Sequence, residues 1–445
     1  MTQSGTQSAP NPRHQLTTRA VIVWLGATLT YLMAVTGRTS FGVAAVAAME
    51  RFQVDTAHIA VFTSLQVGVY ALAQIPTGIA IDRFGAKKML VGGAIVMAAG
   101  QIILGFATSY PLALIARALI GAGDATAFLA AMRLIPVWFP LKHTPLFAQL
   151  TGSIGQGGQF LSALPFYAVL HNLGWSPAFV GLGAVIILVT VAASIMVADT
   201  PDTPHTTSTA TTGTTGTTTS GDTPTGATQT ADTTSNPTKP TVRQTLTHPV
   251  VWEAFFMHGA SMVTIVSFTL LWGVPTMTQG MGLDPKTAGL VLILNPAVMI
   301  ICSPLAGVLS ARLGIKRDIA TVIFVTAMMV GFAVFYISPT PPSLGAIVTT
   351  IIVVSLFNPC FNFGFDSVRE VLPHSVVATG TGFANMGGFI STMLATQGMG
   401  LIMSEPLSWA DFHLGWWAIN AVWLVDVLGI IITAILLRRR LATRQ

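Results

Sequence analysis

Charge is what this chain has least of. Only 8% of its 445 residues are Asp, Glu, Lys or Arg, against about 25% in an ordinary soluble protein. That scarcity excludes a soluble globular surface. Cysteine is almost missing: Cys302 and Cys360 stand alone, each inside an apolar stretch. Two such thiols exclude a disulfide scaffold and a cysteine metal site. The sequence also has no His-Glu-x-x-His, no paired aspartate motif and no nucleotide-binding loop. It therefore lacks the catalytic clusters that a polytopic membrane enzyme carries at the membrane face. The expectation is a protein that is not an enzyme, with no cofactor, no metal and no nucleic-acid partner.

Apolar sequence is what the chain has in quantity. Hydrophobic residues make up 52%, in blocks of the ~20 residues that cross a hydrocarbon core of ~30 Å. Backbone in lipid must satisfy its own hydrogen bonds, so the blocks must be helices. They predict an all-α membrane protein with twelve transmembrane helices, near 20–46, 57–80, 88–108, 111–135, 146–170, 176–197, 249–274, 287–310, 318–338, 344–366, 376–402 and 414–437. Arg19, an apolar run and Ala45-Val46-Ala47 mimic a signal peptide, but the run is too long and eleven more follow.

The net charge of +5 is topological rather than a nucleic-acid signal. Arg13, Arg19, Arg83, Lys87, Lys88, Lys142, Lys239, Arg243, Arg312, Lys316, Arg317 and Arg438 to Arg440 all fall in the tails or even-numbered gaps. The opposite gaps hold Arg51 and Lys286, offset by Glu50, Asp55, Asp284, Glu405 and Asp411. By the positive-inside rule both termini are cytoplasmic, in a multi-pass protein of the cytoplasmic (inner) membrane. An even number of spans requires the same.

Five segments follow. Residues 1–18 are a polar, disordered N-terminus, and 19–198 a six-helix bundle. Residues 199–248 are a Thr-rich cytoplasmic linker too poor in apolar side chains to repay its ordering entropy. Residues 249–438 form a second bundle, and 439–445 a basic tail.

The two bundles repeat one another. Gly78-Ile-Ala-Ile-Asp82-Arg83-Phe-Gly85-Ala-Lys87-Lys88 returns as Gly307-Val-Leu-Ser-Ala311-Arg312-Leu-Gly314-Ile-Lys316-Arg317, 229 residues later. Gly152, Gly157 and Gly158 return 230 residues later as Gly382, Gly387 and Gly388. Small residues let helix backbones approach closely in lipid. The halves should pack about a pseudo-two-fold axis, with a cavity between them.

The Gly-x3-Asp-Arg-x-Gly-x-Lys-Lys loop resembles the signature of the major facilitator superfamily, and Arg117-Ala-Leu-Ile-Gly121-Ala-Gly123 looks like that family's second motif. The resemblance implies a secondary transporter working by alternating access. It implies that Asp82 caps the eleventh helix and pairs with a basic residue at the inner end of the fourth, here Arg133. Gly78, Arg83, Gly85, Lys87, Gly307, Arg312 and Gly314 would complete the latch. The second loop has Ala311 in place of the carboxylate, and Asp366 with Arg369 could substitute. Simple inside-positive anchoring is the other reading of these charges.

A charge in lipid costs at least ~2.5 kcal/mol, so each asks for a reason. Arg38 lies within Thr36-Gly37-Arg38-Thr39-Ser40-Phe41, a small, polar setting for a planar fork that matches carboxylate or phosphate. The phrase resembles the first helix of organophosphate antiporters and anion:cation symporters, as do Trp138-Phe139-Pro140 and Gly174-Trp175. Phosphate exchangers carry a second Arg in the seventh helix, where this chain offers His258, so a monocarboxylate or zwitterion fits better. Arg117 and Asp124, seven residues apart, share a helical face. Asp124 is the candidate for carrying a coupling proton, with Arg117 beside it, unless it merely neutralises one of the arginines. Asp426, on the peripheral twelfth helix, reads as a contact to a neighbour or to water. Tyr31, Gln66, Tyr70, Gln156, Asn295, Asn358, Asn362 and Asn385 complete the expected cavity, or serve as helix–helix glue.

The expected partners are a small organic anion or zwitterion, a proton and lipid, for a monomeric symporter. Competing readings remain. Asn385-Met386-Gly387-Gly388 faintly resembles nitrate or nitrite porters, whose arginines in the second and eighth helices are absent here. Drug:proton antiporters want a Gly-Pro in the run Gly152-Ser-Ile-Gly155-Gln-Gly-Gly158, which has no Pro. A polytopic membrane enzyme, or a non-transporting receptor on the same fold, is the remote alternative.

Overall fold

A computed structural model describes residues 16–54, 56–201, 240–403 and 408–442, and among them every regular element is a helix. Twelve long helices carry the architecture. The first six are α1 (Thr18–Val43), α2 (Thr56–Phe84), α3 (Ala86–Phe106), α4 (Tyr110–Trp138), α5 (144–173) and α6 (Trp175–Met196). The second six are α7 (249–280), α8 (Pro285–Leu313), α9 (Arg317–Tyr336), α10 (344–371), α11 (Val377–Ile402) and α12 (Trp409–Ala442). Each sits where an apolar block predicts one, and α12 runs past the expected 437.

Local chemistry sets the ends. Thr17 and Ser343 cap α1 and α10 by accepting from Ala20 N–H (3.1 Å) and Ala346 N–H (3.3 Å). The Asp284 carboxylate caps α8, accepting from the Thr287 hydroxyl (2.6 Å) and the Thr287 N–H (3.0 Å), and these bonds, the hydroxyl's first, hold its carboxyl below the usual range. Pro stands in the first turn of α4, α5, α7 and α8, where its missing N–H costs nothing. Gly85 alone separates α2 from α3 with φ +94°, a conformation that strains other residues.

Three helices are not α-helical throughout. In α5 the stretch Ser162–Phe166, holding Pro165, is a π turn. α7 has two such turns, Phe268–Trp272 and Thr276–Gly280, on either side of Pro275. α10 tightens into a 3-10 turn at Asn358–Asn362, entered through Pro359. Hydropathy could not foresee these breaks.

Among the described residues, eight stretches are long and apolar enough to cross a membrane, and they cover every long helix except α2, α5 and α11. Those three hold the seams between the halves. α2 packs on α11, and α8 packs on α5, as the repeat requires. A Cβ on Gly78 would stand 2.6 Å from the Ala378 carbonyl oxygen, and one on Gly307 2.7 Å from Leu146 Cα, so each basic-loop helix abuts the start of the opposing helix. The other repeated glycines divide. Gly158, Gly382 and Gly387 each press on a neighbouring backbone oxygen, whereas Gly152 and Gly157 have only ordinary contacts, so close approach does not explain them.

Two loops and a helix end gather at one end of the bundle. Lys87 N–H donates to Asp199 Oδ1 (2.9 Å), and Trp138 Nε1–H donates to the Ala198 carbonyl (2.9 Å). At this basic end α1 packs against the end of α6, Gly26 facing Met196. The Thr-rich tract from 202 to 239 and residues 1–15 and 443–445 lie outside the described residues. Within the expected linker, Val242–Leu246 forms a short helix, closed by a reciprocal capping box between Thr241 and Gln244.

Candidate functional site

A cavity of about 270 Å³ lies between the halves. Helical periodicity brings its lining together. Tyr31, Val35, Arg38 and Thr39 form one stripe of α1, as do His258, Met262, Ile265, Val266 and Thr269 on α7. α2 adds Val67 and Tyr70, α4 Phe128, α5 Gln156 and Gln159, α8 Asn295 and Met299, α10 Asn358 and Phe361, and α11 Asn385 and Phe389.

Arg38 is the cationic residue of this lining. Its Nε donates to Asp124 Oδ2 at 2.7 Å and its Nη2 to Asp124 Oδ1 at 2.9 Å. Asp124 is fully buried behind it, while the Arg38 side chain is 23% exposed to the cavity. The guanidinium also lies over the Tyr70 ring, 4.6 Å from its centre. A bidentate fork of this kind is geometrically specific and strong. It still leaves donors: Nη1 makes no bond to the carboxylate.

The amides around it are partly spent. Asn385 gives both hydrogens away, to Tyr70 Oη (3.0 Å) and Gln74 Oε1 (2.9 Å), which leaves it an acceptor. Asn295 donates to Ser355 Oγ (2.9 Å) and Asn358 to the Ser261 carbonyl (3.0 Å). Gln159 donates to Gln156. His258 Nδ1 meets the Phe361 carbonyl at 3.1 Å, and a carbonyl only accepts, so that nitrogen carries the proton. Its Nε2 is buried without a partner.

Gln66 and Asn362 do not line the cavity. Gln66 is buried against Gly121 of α4, and its amide has no hydrogen-bond partner. Asn362 sits in the seam, where it donates to Gln149 Oε1 (3.0 Å). Arg117 is likewise elsewhere: its guanidinium lies over Phe41, 4.4 Å from the ring centre, with Nε and Nη1 unpartnered. Asp124 is held by Arg38 rather than by Arg117, because Arg38 reaches it across α1 and α4 while a residue two turns away on α4 does not. Asp426 faces inward, accepting from Ser391 Oγ (3.0 Å).

At the basic end, Asp82 Oδ1 accepts from Ala378 N–H (3.2 Å), and Oδ2 accepts from Thr379 N–H (2.8 Å) and Thr379 Oγ1 (2.7 Å). Arg133 Nε stands 3.5 Å from the same carboxylate. A carboxylate on the first turn of α11 is where a helix N-terminus favours negative charge. Arg83 and Arg312 are exposed and lie outside this cluster. In the second half Arg317 is the engaged base: it donates to Ser310 O and Oγ and to both oxygens of Glu370. Ser310 and Arg369 in turn bind Asp366. These groups tie α8, α9 and α10 of one half together, and Arg369 Nη1 also donates to Met132 Sδ of α4 (3.2 Å), a contact that crosses to the first half.

Comparison with known proteins places the fold. The chain matches the sequence profile of the Major Facilitator Superfamily over residues 27–396. The chain belongs to that superfamily. A probable sulfoacetate transporter of Cupriavidus necator is 28% identical over 173 residues, 39% of this chain and 40% of that protein. A probable galactarate/D-glucarate transporter of Escherichia coli K12 is 22% identical over 385 residues, 83% of this chain and 84% of that one. A D-galactonate transporter of Escherichia coli O6:H1 is 27% identical over 40% of each chain. The alignments with the sulfoacetate transporter and with an uncharacterised Bacillus subtilis transporter span 40% and 35% of those relatives. Among solved structures, the outward conformation of the superfamily member FucP superposes with a TM-score of 0.65 at 14% identity, covering 94% of this chain and 98% of that one. A bacterial homologue of ferroportin in an outward-facing state gives 0.66 at 14%, covering 93% and 99%.

Thr39, Gln159, Phe128 and Phe389 belong to the cavity although sequence reasoning passed over them. Thr39 follows Arg38 directly, and Gln159 lies one turn from Gln156, so helical spacing could have found both.

Proposed function

We propose that the chain is a secondary transporter that carries a small organic anion across the cytoplasmic membrane by alternating access, coupled to a proton. The carrying observation is Arg38, turned to a cavity between the halves and held from behind by a buried carboxylate. A ligand carboxylate and Asp124 compete for one guanidinium. When Asp124 takes a proton on a carboxylate oxygen, it loses its charge, and Arg38 is released to the ligand anion. When the proton leaves, the ion pair reforms and the ligand is displaced. That exchange ties one proton to one anion.

The cavity lies just below the ~300–1,000 Å³ of drug-sized sites, which supports a small solute over a drug. Acceptors such as Asn385 Oδ1 suit a solute with hydroxyls. The three relatives named for sulfoacetate, galactarate/D-glucarate and D-galactonate supply the first probes. The basic end faces the cytoplasm in this reading, as its lysines and arginines require. The halves are joined from Tyr70–Asn385 down to Asp82–Thr379, so access here is from outside. Both termini and the Thr-rich linker then lie on the inner side of a monomer.

Uptake of sulfoacetate, galactarate and D-galactonate into proteoliposomes under an inward proton gradient tests the proposal. At least one should accumulate in the parent and none in Arg38→Ala or Arg38→Lys. Lys keeps the charge but not the fork. Variants that carry every solute as the parent does would remove Arg38 from the site.

A further inference from the structure

Gln149 lies in the first half, on the α5 side of the seam. It is fully buried and bonded twice to the opposite half: its Nε2 donates to the Pro359 carbonyl (2.7 Å), and its Oε1 accepts from Asn362 (3.0 Å). Both partners belong to the 3-10 turn of α10. The turn explains why a carbonyl is on offer. The Phe363 N–H bonds to Cys360 O, three residues back, instead of reaching Pro359 O as an α-helix would. Pro359 O is thereby left facing α5.

The other side of the same turn faces the cavity. Asn358 and Phe361 line it. Asn358 donates to the Ser261 carbonyl, and the Phe361 carbonyl accepts from His258 Nδ1–H. Five residues thus carry the cavity wall and the seam clamp on one short, non-α-helical segment. The matching place on the α2–α11 seam is closed by the Asp82 carboxylate. The second loop has Ala311 there, and its Arg317 pairs with Glu370 of its own half.

We propose that Gln149 is the positioning residue that closes the α5–α8–α10 seam at the basic end, and that the 358–362 turn links that closure to the cavity. This rests on the alternating-access reading above. A solute touching Asn358, Phe361 or His258 moves the turn, and the turn carries both partners of Gln149 with it. Opening the basic end requires both Gln149 bonds to break. Their joint loss is worth roughly five- to 150-fold in the closed-to-open ratio.

The test uses the full-length protein in lipid nanodiscs with Cys302→Ser and spin labels at Lys142→Cys and Lys316→Cys, exposed positions on opposite halves beside this seam. Double electron–electron resonance reads the distance without added solute. Gln149→Met keeps the volume and removes both bonds; Asn362→Leu removes one from the other side and serves if the first does not fold. Each should raise the longer-distance population about tenfold for Met and less for Leu. Asp82→Asn is the control on the other seam. If Asp82→Asn opens the basic end while Gln149→Met and Asn362→Leu keep the parent distribution, the Gln149 assignment is overturned and alternating access stands. If no variant yields a second distance even with saturating D-galactonate, galactarate and sulfoacetate, both are overturned.

Discussion

Replacing Asp124 by Asn separates anion binding from proton coupling. In the parent, an incoming carboxylate must displace two charge-assisted hydrogen bonds, at 2.7 and 2.9 Å. Bonds to charged groups contribute about 1.5–3 kcal/mol each. Asn retains one neutral acceptor, worth about 1 kcal/mol. The competition therefore falls by roughly 2–5 kcal/mol before solvent in the cavity screens the partly exposed guanidinium, and the screened figure is taken at about 1.4 kcal/mol. That is about a tenfold tighter Kd for the anion. The variant should also keep solute exchange but lose accumulation, because no carboxylate remains to pick up and release the proton. Counterflow of labelled D-galactonate, galactarate or sulfoacetate in proteoliposomes measures exchange, and uptake after a pH jump measures coupling. The melting temperature at a fixed solute concentration reports Kd through the ligand's stabilisation of the folded state. Accumulation that still follows an imposed pH gradient would refute the role of Asp124. So would an unchanged Kd, since the ion pair would then not be what the anion displaces.

Asp82→Asn keeps the acceptor geometry at Thr379 but removes the charge at the start of α11, a loss of about 0.3–1 kcal/mol from the helix dipole plus the weaker hydrogen bonds. Labels at Lys88 and Pro373, which flank the α2–α11 seam, should show a larger share of long distances, and an unchanged distribution argues for a purely anchoring charge. Gly387→Ala places a Cβ 2.0 Å from the Phe255 carbonyl oxygen and should lower the melting temperature by several degrees. Gly157→Ala meets nothing closer than Leu32 Cδ1 at 3.5 Å and should leave stability the same or raise it by about 0.5–1 kcal/mol. Equal effects of the two would mean that close approach does not decide these positions.

The number and placing of the long helices are legible in the sequence because lipid imposes a length and a hydropathy that few other environments do. The basic loops are legible because charge is so rare that each cluster marks a helix end. What hydropathy does not encode is azimuth. Gln66, Asn358 and Asn362 are all polar residues in apolar runs, yet Asn358 meets the cavity, Asn362 the seam and Gln66 the back of α4. A rotation of 100° per residue separates these fates, and no composition signal distinguishes them. Gln149 escaped notice for the same reason. The pairing of Asp124 with Arg38 rather than Arg117 was open in the sequence, because i,i+7 spacing puts two residues on one face without bringing their tips together. The short helix at 242–246 was missed because a polar tract was read as one segment, although Thr241 and Gln244 have the spacing of a capping box.

The repeat that builds the fold does not repeat its chemistry. At one seam a carboxylate of α2 caps α11; at the other, the equivalent loop helix carries Ala311, and an amide from α5 grips a carbonyl of α10. The difference matters because the two closures respond to different things. The Asp82 seam is electrostatic, a nearly buried carboxylate set against Arg133 and the start of α11. The Gln149 seam is buried and uncharged, but one of its partners is a turn whose other face is cavity wall. The cavity touches the first seam as well, by a different route: Arg38 lies over Tyr70, and the Tyr70 hydroxyl accepts from Asn385 of α11. Each half therefore contributes cavity wall that is bonded into a seam, Tyr70 from the first and Asn385 and the 358–362 turn from the second. A solute seated between Arg38 and His258 would bear on both seams at once, and a two-sided clamp of this kind opens only when both give way.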